Sequence, residues 1–140
     1  NAVALAHRIG ISCPRVAMLA ASETVSPAMP VTAECAEIVA HFADSDLAME
    51  IDGPFAFDNI VSETSARMKG VESAVAGEAD IIVVPTIETG NALFKMMVYF
   101  MSACAAGIVL GGRVPILLTS RADPPAARLA SAALGALSSV

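Results

Sequence analysis

The 140-residue sequence predicts an α/β protein with a mostly parallel sheet flanked by helices, and three observations carry that expectation. Ile81-Ile82-Val83-Val84 is an unbroken β-branched run closed by Pro85, which suits a strand buried on both faces of a parallel sheet. Strand-like and helix-like segments alternate along most of the chain, the order of a wound sheet. Polar loops follow four of the strand-like segments, and open α/β sheets place their ligands at such loops.

The elements follow in order. Ala2 to Ile9 reads as the closing turns of a helix that ends at Gly10. Arg15 to Ala20 is a short apolar strand leading into the polar loop Ala21 to Pro27, which holds Ser22. Thr32 to Phe42 has helical periodicity, with Glu34 and Glu37 outward and Cys35, Ile38, Val39 and Phe42 inward. Leu47 to Ile51 is the next strand. Asp52 to Asp58 is then a loop, with Asp58 as N-cap of a helix from Asn59 to Lys69 that Gly70 stops. After the central strand, Thr86 to Asn91 is polar and turn-forming, with Thr89 placed to cap a helix from Ala92 to Ala105. That helix is apolar around nearly its whole circumference, so it must be covered on every side. Gly107 to Leu110 and Val114 to Leu118 are strand-like, and Pro125 to Leu137 is a final helix.

The composition is unusual for a self-contained domain. Hydrophobic residues make up 56% of the chain, mean hydropathy is +0.68, and 16% of residues are charged. A soluble domain ordinarily carries about a quarter charged residues, so much of this surface is expected to meet another chain or domain. Because the sequence opens at Asn1 inside a helix-like segment, it is expected to be the C-terminal part of something longer. A membrane span is not expected. The 17 uncharged residues from 96 to 112 sit at the lower limit of a spanning helix, and glycines interrupt their second half. A net charge of −6 argues against nucleic-acid binding, which needs a basic face. Cys13, Cys35 and Cys104 have no metal-type spacing and are expected to be buried, reduced thiols in a cytoplasmic protein. His7 and His41 stand near helix ends and suggest no metal site.

Phosphate-loop, dinucleotide, nucleophile-elbow and zinc-protease motifs are all missing. The chemistry lies in the polar loops: Ser22 to Ser26, Asp52 to Asp58, Thr86 to Asn91 and Thr119 to Asp123. Four such loops line one crevice if their strands run parallel. The last is the richest, because Ser120 and Arg121 emerge together after Val-Pro-Ile-Leu-Leu-Thr. A guanidinium offers a rigid fork of donors matched to phosphate, and a hydroxyl is a natural co-ligand. The competing reading of the same loop is a surface Arg121 paired with Asp123.

Four stretches in sequence order carry a family resemblance: Asp52-Gly-Pro-Phe-Ala-Phe-Asp58-Asn59, Ala79-Asp80 with Val84-Pro85, Glu88-x-Gly90-Asn91-x-x-x-Lys95, and Val114-Pro-Ile-Leu-Leu-Thr-Ser120-Arg121. Together they resemble the phosphate acetyltransferase and phosphate butyryltransferase family, with wording closer to the butyryl branch. The resemblance runs from Arg15 onward and covers the C-terminal half of a family member. It implies reversible transfer of an acetyl or butyryl group between acyl phosphate and coenzyme A, with release of inorganic phosphate. It implies a two-domain α/β protein similar in fold to isocitrate and isopropylmalate dehydrogenases, with an interdomain active site. Residues 1–112 would form most of the second domain, and 113–140 would return to the first. Ser120 and Arg121 match the family's active-site pair. The carboxylate that the acetyl branch carries seven residues after that serine is replaced by Ala127, which leaves Asp123 as the nearby candidate base. Ser22, Asp52, Glu88, Gly90, Asn91, Lys95, Gly111 and Arg113 are the substrate-binding candidates. Coenzyme A would be a substrate, with no metal or prosthetic group needed, and the protein would be a cytoplasmic homodimer. The 140-residue piece alone would be inactive if half the cleft lies elsewhere.

Two other readings are open to these residues. One is a non-catalytic ligand-binding or oligomerisation module. The other is a metal- and nicotinamide-dependent hydroxyacid dehydrogenase of the same fold, which would need clustered carboxylates; Asp52 and Asp58 are separated by a Pro-containing loop.

Overall fold

The computed structural model describes residues 1–139, so the last residue of the expected 113–140 segment lies outside the described residues. Two units organise the chain, residues 11–87 and residues 1–10 with 88–140.

In the first unit, β1 (Arg15–Leu19) is the centre of a three-stranded parallel sheet of order β2-β1-β3. Its neighbours are β2 (Glu50–Phe55) and β3 (Ile81–Val83). Val16 faces Ile51 on one side and Ile81 on the other, which fixes the register of all three strands. Pro14 is buried just before β1, and its carbonyl accepts the Glu50 amide at 3.1 Å. At the same end, Arg15 is clamped by Glu78 at 2.6 Å and by Asp80, whose carboxylate also accepts the Arg15 amide at 2.8 Å. Val16 through Ala20 are buried, and Met18, Ala20 and Cys35 form a core packed by Val31, Val39 and Ile51.

Helix α2 (Pro30–Phe42) starts with proline at its first position, where the missing N–H costs nothing. The buried Thr32 hydroxyl donates to the Met29 carbonyl at 2.7 Å and accepts the Ser26 amide at 2.9 Å, tying the preceding loop to the helix. Helix α3 (Phe57–Val61) and helix α4 (Glu63–Met68) meet at Ser62, whose hydroxyl accepts the Ser65 amide at 3.2 Å as the N-cap of α4. Gly70, at φ +68°, then ends α4 as the sequence predicts.

In the second unit, β4 (Ile108–Val109) and β5 (Ile116–Leu117) form an antiparallel pair, and α6 (Pro125–Ser138) packs against both. Helix α1 (Ala2–Arg8) rests on α6. Helix α5 (Ile87–Met101) contains no buried residue.

Several expectations are corrected. The β-branched run forms an edge strand rather than a doubly buried one, with Ile82 and Val83 each more than a third exposed. β2 runs on to Phe55, so Asp52 and Gly53 belong to a strand and not a loop. Asp58 is not an N-cap; it lies inside the first turn of α3, and the expected single helix is broken at Ser62. Helix α5 begins at Ile87, so Thr86 to Asn91 is mostly helix and Thr89 is not its cap. β4 and β5 run antiparallel, so the loop carrying Ser120 does not follow a strand of the parallel sheet. Ile38 is 40% exposed, and of the three cysteines Cys35 alone is buried. Burial pushes the Cys35 thiol up, with the Glu34 charge adding to the effect, so it stays protonated.

Candidate functional site

The turn after β5 is built from Ser120 and Asp123. The Ser120 amide donates to the Asp123 carboxylate at 2.6 Å, and the Asp123 amide returns a bond to the Ser120 carbonyl at 3.1 Å. The Ser120 hydroxyl accepts the Ala122 amide at 3.4 Å, which leaves its own proton free to donate outward. Arg121 stands at the tip, exposed, with no ion-pair partner among the described residues. The expected alternative, an Arg121–Asp123 pair, is not formed, because the carboxylate is turned onto the backbone. The turn therefore carries a hydroxyl and a guanidinium on adjacent residues. Ala127, where the resemblance left no carboxylate, is buried in α6.

Gly111 and Arg113 line a cleft of about 590 Å³ between α1, the β4–β5 connection and the end of α6. The same cleft is lined by Asn1, Leu5 and Arg8, and the Arg8 guanidinium donates to the Ser138 carbonyl. Arg8 was not foreseen as a site residue; a helix-terminal arginine looks like ordinary dipole complementarity. Glu88, Asn91 and Lys95 fall at helical spacings of three and four residues, on one face of α5, with Gly90 elsewhere on the helix. The Lys95 ammonium lies 5.0 Å from the Phe94 ring centroid.

Ser22 and Asp52 belong to the parallel-sheet unit. Ser22 lies just past β1, its hydroxyl accepting the Thr24 amide at 3.1 Å, and an Asp52 oxygen accepts the Gly53 amide at 2.7 Å. Beside them lies a pair the sequence did not reveal. The side-chain amide of the fully buried Asn59 donates to the Glu23 carboxylate at 3.3 Å, across 36 residues of chain. Among the described residues, no group of three His, Cys, Asp or Glu side chains is arranged to hold a metal ion. Among the described residues, no helix is long and apolar enough to cross a membrane.

Residues 1–136 match the family described as phosphate acetyl/butaryl transferase. A phosphate acetyltransferase from Thermotoga maritima is 43% identical over 138 residues, 98% of this chain and 47% of that protein. A probable phosphate butyryltransferase from Bacillus subtilis is 44% identical over 135 residues, 96% of this chain and 45% of that protein. Among solved structures, a branched-chain phosphotransacylase from Enterococcus faecalis superposes with a TM-score of 0.88 at 34% identity, over 99% of this chain and 50% of that one. These are acyl-group transferases built on an α/β fold. The chain belongs to the phosphate acetyl/butyryl transferase family. It spans about half the length of the relatives it matches.

Proposed function

We propose that the chain is the C-terminal part of a phosphate acyltransferase that moves an acetyl or butyryl group between acyl phosphate and coenzyme A, releasing inorganic phosphate. The observation that carries this reading is the turn of Ser120 to Asp123. Asp123 is spent on the backbone, so the Arg121 guanidinium is free for an anionic substrate. The names of the matching relatives favour acyl transfer over the dehydrogenase and non-catalytic readings.

In the forward direction, the coenzyme A thiol loses its proton and sulfur attacks the acyl carbon. The carbon–oxygen bond to phosphate breaks, and phosphate leaves with the electron pair. Negative charge grows on the carbonyl oxygen and then on the phosphate. A fixed guanidinium and hydroxyl stabilise that charge more than they stabilise the ground state. Arg121 takes the phosphoryl oxygens and Ser120 donates to an adjacent one. Asp123 positions both by fixing the turn. Gly111 and Arg113, with Ser22, Asp52, Glu88, Gly90, Asn91 and Lys95, supply further substrate contacts.

The rest of the proposal concerns the whole protein. It has two domains with an isocitrate dehydrogenase-like fold, the segment from residue 113 onward returning to the first domain. It works as a cytoplasmic homodimer without metal or prosthetic group. Thioester formation from acetyl or butyryl phosphate and coenzyme A by the full-length protein, with stoichiometric phosphate release, tests the reading. Absence of both products would overturn it.

A further inference from the structure

The turn of Ser120 to Asp123 leads straight into α6, and the start of that helix carries an arginine that the acyltransfer reading does not use. Arg128 stands three residues past Pro125 and is exposed. It has no ion-pair partner among the described residues.

The packing of α6 on β4 and β5 fixes where this arginine stands. Ala127, Ser131 and Gly135 recur every four residues, which puts them on one face of α6, and all three are buried. The Ser131 hydroxyl donates to the Ala127 carbonyl at 2.8 Å and accepts the Gly107 amide, just before β4, at 3.0 Å. A Cβ on Gly135 would meet the Leu117 side chain at 2.6 Å, so α6 lies hard against β5. Where the helix starts, the Ala127 amide donates to the Pro124 carbonyl at 3.0 Å, next to the Ser120–Asp123 closure. Arg121 and Arg128 therefore belong to one packed piece, at the end where β5 runs out and α6 begins. Arg113 lines the cleft at the far end of α6. A 14-residue helix is about 21 Å long, so Arg113 and the Ser120 turn stand too far apart to share one phosphoryl group.

The residue type at position 128 runs against the local rule. A helix N-terminus carries partial positive charge, which favours acidic side chains in the first turn and basic ones in the last. Helix α6 has no acidic residue in its first turn and no side-chain cap, and its fourth residue is a guanidinium. Helical side chains also lean toward the N-terminus of their helix, which at Arg128 is the direction of the Ser120–Asp123 turn. A cation that opposes its own helix and has no ion-pair partner among the described residues is the pattern of a residue kept for a ligand.

We propose that Arg128 is a second guanidinium for the phosphoryl group bound by Ser120 and Arg121. This rests on the acyltransfer reading above. The electron pair of the breaking carbon–oxygen bond ends on the departing phosphate, and the two guanidinium groups share that charge. In the reverse direction the same pair receives inorganic phosphate.

The test uses the full-length protein, with kinetics in both directions and melting curves in inorganic phosphate. A hydrogen bond to a charged group is worth a factor of about ten or more. Arg128→Gln should therefore raise KM for acyl phosphate, and for inorganic phosphate in reverse, by about tenfold or more. KM for coenzyme A should stay within about twofold. Without phosphate the melting temperature should hold or rise slightly, because a cation leaves the positive end of a helix. The upward melting shift caused by phosphate should need about tenfold more phosphate in the variant. Arg128→Lys keeps the charge and should recover part of the loss. The control Arg67→Gln removes an exposed guanidinium from α4 and should leave every KM unchanged. If Arg128→Gln keeps KM for acyl phosphate and inorganic phosphate within about twofold, the proposal is wrong, whether or not KM for coenzyme A rises, and the enzyme remains an acyltransferase. A wild type that forms no thioester would overturn the acyltransfer reading, and the phosphate-dependent melting shift would still decide whether Arg128 meets a phosphoryl group.

Discussion

In residues 11–87, four of the five residues of β1 are buried, whereas in the other unit both residues of β5 are exposed and α5 buries none. The two regions use similar apolar vocabulary, so composition does not explain the contrast. Neighbours do. β1 has a hydrogen-bonded strand on each side and helices α2 and α3 in contact, while β5 has a single two-residue partner and α6. Burial is worth about 25 cal/mol per Å² of apolar surface, so the parallel-sheet unit holds its stabilisation within itself. Tyr99, Phe100 and Met101 on α5 are each more than two-thirds exposed and realise little of theirs. Contiguous exposed apolar surface of this kind is characteristic of an interface.

The largest effect expected from this contrast is on activity. Residues 1–140 alone should form no thioester from acyl phosphate and coenzyme A, while the full-length protein does. Turnover by the short chain at ordinary enzyme rates would break the comparison. Next comes stability. Ile60 is 1% exposed, so Ile60→Ala should cost about 2–5 kcal/mol in denaturant unfolding. Leu118 is 64% exposed, so Leu118→Ala in residues 1–140 should change stability by about 0.5 kcal/mol or less. Equal losses would show that the two regions are equally packed. Gly77 lies between the two in expected cost. It has φ +80°, and a Cβ there would meet the Glu63 backbone nitrogen at 2.4 Å, so Gly77→Ala forces the α4 start to move. Strain at a positive-φ position contributes about 1–3 kcal/mol of that cost.

The smallest effect concerns acid. The hydrogen bond from Lys69 holds the Asp58 carboxyl below its ordinary value, opposed by slight desolvation. A lowered folded-state pKa gives stability that is present above the unfolded value and lost as pH falls through the folded one. Lys69→Ala should therefore lower the melting temperature slightly at neutral pH. The gap from wild type should close as the pH drops below the usual carboxylate range. A gap that persists in acid would assign the effect to lost packing of the lysine stem.

Much of the parallel-sheet unit was legible because its signals are local. The short apolar run of β1, helical periodicity in α2 and Gly70 after α4 each act within a few residues. The errors have physical reasons. A run such as Ile81 to Val83 records what a strand could bury, not how many neighbours it has. The stretch from Thr86 to Asn91 has loop composition, yet α5 begins at Ile87 despite Gly90, whose helical cost of about 1 kcal/mol is absorbed. Strand direction is invisible to periodicity, so the antiparallel β4–β5 pair could not be read. In the candidate site, the adjacency of Ser120 and Arg121 was plain from sequence. The turning of Asp123 onto the backbone and the contact of Asn59 with Glu23 were not, since both depend on folded geometry.

The central claim is that the exposed turn after β5 acts on the reacting phosphoryl group. Arg121→Lys in the full-length protein tests it most directly, with steady-state kinetics in both directions and a melting curve. Lysine keeps the charge but loses the fork, so kcat should fall by about a hundredfold or more, roughly 3 kcal/mol, with kcat/KM falling alongside. Ser120→Ala should cost less, because a hydroxyl is a neutral partner. The melting temperature should not move, since Arg121 has no ion pair to lose among the described residues. Near-normal kcat and KM in Arg121→Lys with intact stability would make Ser120-Arg121 an ordinary surface turn and contradict the claim.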